Sequence, residues 1–153
     1  MKKIITIALL ALVLLAAGCA KKAEFTEPVP AVEEAASAES IAIANNISEK
    51  ILVGLDRGDY SMFSADFSDR TKESMDEAYF NKLRRFLKDN SGDYVDKVLA
   101  FSKGDTQFGY DCQFSKETVL LGFVLSSDLT KVETLYFDSE NIRNRLASNL
   151  DFV

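Results

Sequence analysis

The chain has no histidine among its 153 residues. That excludes triads with an imidazole base, His-ligated zinc and His acid–base catalysis. Cysteine is nearly as scarce: Cys19 and Cys112 are the only two. Glycine-rich phosphate loops, cysteine metal clusters and a Gly-x-Ser-x-Gly elbow are all missing. Basic charge is in deficit, with 18 Lys and Arg against 24 Asp and Glu and a net charge of −6. A chain that acidic has no surplus of cations to hold a phosphate backbone, so nucleic acid is not an expected partner. Proline occurs only at Pro28 and Pro30, both ahead of the folded portion. Residues 4–15 form an apolar run broken by Thr6, well short of the roughly 20 residues a membrane-spanning helix requires. What is present, 47% hydrophobic and 27% charged residues, is the balance of one globular domain.

Residues 1–18 read as an export signal: Lys2 and Lys3 form a basic start, an apolar stretch follows, and small residues close it. The closing run Leu15-Ala16-Ala17-Gly18-Cys19 resembles the lipobox of bacterial lipoproteins. The resemblance implies cleavage before Cys19, a diacylglycerol thioether on its thiol and a palmitate-type acyl chain. One position departs from the commoner pattern, because Ala16 stands three residues before Cys19 where Leu is usual. Two acyl chains suffice for stable membrane attachment where one is marginal. Ala20, rather than Asp, follows Cys19, and by the same resemblance the protein is not retained at an inner membrane. The expected location is extracytoplasmic, lipid-anchored to a cell membrane or outer membrane. Removing Lys2 and Lys3 with the leader takes the charge from −6 to −8.

Residues 19–38 carry both prolines in an Ala- and Glu-rich context and read as the lipidated Cys with a tether. Residues 39–153 read as a single domain. Ile41, Ala44, Ile47, Ile51 and Leu55 recur at helical spacing, and Gly58 is placed to stop the helix. A connector with Tyr60, Phe63 and Phe67 follows. Ser74 and Glu77 match a capping box ahead of a second helix bearing Tyr79, Leu83, Phe86 and Leu87. From Tyr94 the period becomes two, giving strands over about 95–103, 107–114, 119–125 and 132–137. Ser139 is a candidate cap for a last short helix. Helices followed by four sequential strands predict an α+β fold with an antiparallel meander.

The run Ile47-Ser48-Glu49-Lys50-Ile51-Leu52-Val53-Gly54-Leu55-Asp56-Arg57-Gly58-Asp59-Tyr60, with Phe63-Ser64, Asp66-Phe67 and later Gly92-Asp93-Tyr94, resembles a small bacterial and archaeal domain family of unknown function. That family is often carried on exported lipoproteins and is grouped with the nuclear transport factor 2-like superfamily. The resemblance spans about residues 42–138. It implies a cone: N-terminal helices packed on a curved four-stranded antiparallel sheet, cystatin-like in outline. It carries over no catalytic residue, since the His/Asp dyads of enzymatic relatives need a histidine.

Cys112 alternates with Phe108, Tyr110 and Phe114 and reads as a buried, inert thiol. Asp66, Asp69, Asp76 and Glu77 gather in the connector but also suit turns and caps, and EF-hand spacing is missing. For ligand contact the candidates are Asp111, Tyr110 and Tyr136, within an aromatic set that equally fills a core. Leu120, Gly122 and Val124 make the second sheet face apolar in its middle, which calls for a cover. Residues 142–153, a second copy or another protein could each supply it. The expected function is a membrane-tethered, non-catalytic envelope module that binds a ligand or a protein, with no cofactor and no metal. The alternatives are an accessory subunit of an envelope complex and a His-free carboxylate/tyrosine enzyme.

Overall fold

A computed structural model describes residues 35–147. The leader, Cys19 and most of the tether therefore lie outside the described residues. Among the described residues no helix is long and apolar enough to cross a membrane.

Helix α1 (Ala38–Arg57) starts where the Ser37 side chain accepts the Ser40 N–H at 3.2 Å. Asp105, in the turn between the first two strands, reinforces that start by accepting the Ser37 N–H at 2.6 Å and the Ser40 hydroxyl at 2.7 Å. These donors hold the Asp105 carboxyl below the usual carboxylate range, the Ser37 backbone bond first. The expected stripe is buried at Ala44, Ile47, Ile51 and Leu55. The helix ends at Gly58, whose φ of 74° lies in the left-handed region and whose N–H returns to Gly54 and Leu55 carbonyls.

Two short helices follow, α2 (Tyr60–Phe63) and α3 (Asp69–Ser74), capped by Asp59 and Ser68. The second corrects the sequence reading, which placed Ser74 at the start of the next helix. Ser74 instead closes α3, its hydroxyl donating to the Thr71 carbonyl at 3.1 Å. Helix α4 (Glu77–Asn90) begins three residues later, where the Asp76 carboxylate accepts the Tyr79 N–H at 2.8 Å. A carboxylate at that position also opposes the partial positive charge of the helix start, which a serine does not.

Strands β1 (Tyr94–Lys103), β2 (Gln107–Phe114), β3 (Thr118–Leu125) and β4 (Val132–Asp138) pair antiparallel in sequence order as an open meander. Helix α5 (Glu140–Ala147) follows, with the Ile142 N–H donating to the Ser139 hydroxyl oxygen at 3.1 Å. The α+β architecture expected from the sequence is thus observed. Register shifts in β1, between Tyr94 and Asp96 and between Leu99 and Phe101, are not visible in the hydrophobic pattern. The start of β4, at one sheet edge, is covered by the α2–α3 connector. Ser68 N–H donates to the Val132 carbonyl at 3.0 Å, and Val132 N–H to the Asp66 carbonyl at 2.8 Å. Such cover keeps that stretch of edge from templating another strand.

Candidate functional site

Alternation divides the sheet into two apolar faces with different fates. The inner face presents Phe108, Tyr110, Cys112 and Phe114 from β2, and Val119, Leu121, Phe123 and Leu125 from β3, all buried. Against them α1 to α4 bring a chain of rings. Phe63 lies 4.9 Å from both Phe67 and Phe80 between centroids, and Tyr60 lies 5.6 Å from Phe80. Tyr110 stacks on Phe123 at 6.0 Å with planes 6° apart. The space between helices and sheet is filled by side chains at this level.

At the β1 side the interior is closed by a charged pair. Lys97 points inward, its Nζ 2.6 Å from the Glu49 carboxylate and 5.8 Å from the Tyr110 ring centroid. That geometry suits a cation over an aromatic face. No hydrogen bond of normal geometry reaches the buried Tyr110 hydroxyl. Burial pushes its pKa up, and the nearby Ser48 hydroxyl partly offsets the rise. Burial likewise pushes the Cys112 thiol up to about 12, against a smaller opposing pull from the Leu121 backbone and Lys97. A thiol kept protonated is neither a nucleophile nor a metal ligand at neutral pH.

The outer face is built differently. Register places Phe101, Gly109, Gly122 and Tyr136 in one row across all four strands. A Cβ on Gly109 would stand 2.1 Å from the Phe101 ring, and one on Gly122 would stand 2.0 Å from the Tyr136 ring. The edge strands thus fold their rings over two central glycines, and the molecule covers part of its own apolar centre. The adjoining row is Val98, Asp111, Leu120 and Asp138, and the next holds Asp96 and Gln113. Val98 is 67% exposed, Val95 64% and Tyr136 38%. The charges facing outward in these rows are carboxylates, Asp96, Asp111 and Asp138, and Arg143 stands 3.5 Å from the last.

The three ligand candidates do not meet. Tyr110 is buried on the inner face, whereas Asp111 and Tyr136 are exposed on the outer one. The connector carboxylates are dispersed as well. Asp66 pairs with Lys50 at 2.8 Å, Asp69 sits in the first turn of α3, Asp76 caps α4 and Glu77 follows it. Among the described residues no three Cys, Asp or Glu side chains are placed to hold a metal. Sequence reasoning missed Val95, Val98 and Phe101, because the β1 register shifts decide which of its residues face outward.

A second apolar feature lies beside β4. Tyr79, Leu83 and Phe86 of α4, Leu135 and Phe137 of β4 and Ile142 of α5 border a groove of about 220 Å³. Ile142 packs on the core from this side, so the first turn of α5 is directed to the groove rather than over the outer face. Compared with protein-family models, curated proteins and solved structures, the chain matches none.

Proposed function

We propose that the chain is a lipid-anchored cell-envelope module that works without catalysis, by docking a protein on the outer face of its sheet. The observation that carries this reading is the exposure of Val98, Val95 and Tyr136 around a face whose counterpart is completely packed. An apolar centre with a polar margin is the composition of a protein interface. Charge selects the kind of partner. Asp96, Asp111 and Asp138 lie in the rows on one side of the Phe101–Tyr136 centre, so a partner that covers that side has to bring cations to it. A partner with an apolar patch rimmed by Lys or Arg satisfies both features. The filled interior favours this over a module that encloses a small ligand.

The lipid anchor at Cys19 and the cone-shaped, nuclear transport factor 2-like outline belong to the same proposal. The lipobox-like run supports the first. The order of helices and meander, with Phe63 and Phe67 set beneath the sheet, supports the second. Metabolic labelling with palmitate tests the anchor: Cys19→Ala is expected to lose the label and leave the membrane fraction.

Docking is tested with a photoreactive phenylalanine at position 98 of the full lipoprotein in its own membranes, with the same probe at exposed Asn81 on α4 as control. The expected result is one adduct specific to position 98 that disappears with Asp96→Lys plus Asp111→Lys. An adduct of twice the chain mass would make the face a contact between copies and sink the charge argument. No adduct at position 98 would sink the docking face altogether.

A further inference from the structure

An open sheet has two edges, and each is a place where another chain can add a strand. The start of β4 is covered by the α2–α3 connector. Among the described residues β1 has a strand neighbour on one side only, β2. It is also the longest of the four strands, at ten residues, and its Val95 and Val98 side chains are largely exposed. A long edge with exposed apolar side chains is a template for a second copy of itself.

Two features of β1 oppose that pairing. Register shifts between Tyr94 and Asp96 and between Leu99 and Phe101 interrupt the strand. The longest unbroken run is therefore 96–99, paired in step with Gln113, Cys112, Asp111 and Tyr110. Lys97 lies inside that run and turns to the inner face. Its side chain is only 12% exposed, with Nζ held by Glu49 and set over the Tyr110 ring. The Lys97 N–H is met by the Asp96 carboxylate at 2.8 Å, so it is not an open donor for another strand.

An inward lysine is tolerable at an edge, where a long side chain can keep its head near water round the open side of the strand. A strand added there removes that water. Glu49 answers the charge but not the lost hydration. Side chains alternate between faces, so a second copy that continues the sheet antiparallel through this run, helices on the same side, has two registers available. One sets Lys97 opposite Lys97 of the second copy, and the other sets it opposite Leu99 of the second copy. Either way the two ammonium groups share one face, directly opposite or diagonal, where like charges destabilise.

We infer that Lys97 is a charge guard on the β1 edge: buried in the one regular run of that strand, it stops a second copy from adding its own β1. The guard acts in the plane of the sheet and is independent of what docks on the outer face.

Sedimentation of the detergent-solubilised full lipoprotein reads the number of chains per particle. Hydrogen exchange reads whether the β1 amides that face away from β2 are paired. The wild type is expected to sediment as one chain, with those amides exchanging fast. Lys97→Met keeps the length of the side chain and removes its charge. It is expected to shift the mass to two chains and to slow exchange at the same amides. Lys97→Arg, which keeps the charge, is expected to stay at one chain. Three results would overturn the inference: a Lys97→Met protein of one chain at every concentration, a dimer whose β1 exchange is unchanged, or a dimer of Lys97→Arg. So would a wild type already paired through β1. Should Lys97→Met fail to fold, Lys97→Gln is neutral and can still donate to Glu49, and the same outcomes decide.

Discussion

The two faces of the sheet are made from the same strands, two residues out of every four, yet they solve the problem of apolar surface in different ways. The inner face is covered by helices and filled with rings: Phe108, Tyr110 and Phe123 share one buried cluster with Phe63, Phe67 and Phe80. The outer face is covered only in its middle, by Phe101 and Tyr136 lying over Gly109 and Gly122. Around that row Val98 stays largely exposed and Leu120 and Val124 half-covered. The inner face is therefore where stability resides, and the outer face is where a surface can be spared for contact. Substitutions should separate the two roles.

The largest effect is expected inside. Phe123→Ala removes a fully buried ring that touches both Phe108 and Tyr110, and urea unfolding is expected to show a loss of about 3–5 kcal/mol. A loss below about 1 kcal/mol would mean that the inner face is loosely packed.

Alkaline pH probes the same face. An unfolded Cys thiol loses its proton near 9, whereas Cys112 in the fold keeps its own up to about 12. The unfolded state thus binds fewer protons in that window, so stability is whole below pH 9 and falls as the pH climbs toward 12. The slope is about 1.4 kcal/mol per pH unit for one such group. Cys112→Ala is expected to flatten the part of the fall that starts nearest pH 9, leaving the later part to the tyrosines that burial also shifts upward. Paired urea titrations at pH 8 and 10 read the difference.

Smaller and opposite in sign is Tyr110→Phe. It deletes a buried hydroxyl without a well-formed hydrogen bond and is expected to stabilise by about 1 kcal/mol. A destabilisation of that size would show that the hydroxyl has a partner, such as an ordered water.

On the outer face the expected cost of Gly122→Ala is about 1 kcal/mol, because the new Cβ must displace the Tyr136 ring. In a Tyr136→Ala background the same change should cost almost nothing. The double-mutant cycle therefore measures how far the ring and the glycine act as one unit. Val98→Asp closes the series, with a stability change within about 0.5 kcal/mol and, by the docking proposal, loss of the partner. If it destabilised like a core substitution, the contrast between the faces would collapse.

Much of this contrast was legible beforehand, and the exceptions have physical reasons. Strict alternation in β2 and the apolar run of β3 announced two apolar faces, and Gly58 and Ser139 marked helix ends where the chain does turn. The two glycines were visible too, but not their covers. Phe101 reaches the outer face through a register shift that breaks the period by one residue, and Tyr136 reaches Gly122 from a strand that pairs only after a loop. The α4 start was misplaced because Ser74 and Asp76 both satisfy capping chemistry, and only the preceding short helix, α3, decides between them. Asp111 was assigned no face, and strand register turns it outward, away from Tyr110.

One contact described at the beginning of the domain bears on a question of mechanics. Asp105 ties the first turn of α1 to the hairpin between β1 and β2 through Ser37 and Ser40. Any pull travelling along the chain ahead of Ser37 therefore meets two elements joined at that point, not a lone helix end free to peel. Load passes from the helix into the strand pair, where ladder hydrogen bonds share it across β1 and β2. By the tethered-docking proposal, the domain comes apart under load first at that knot, and Asp105→Ala is expected to lower the force at which α1 lets go.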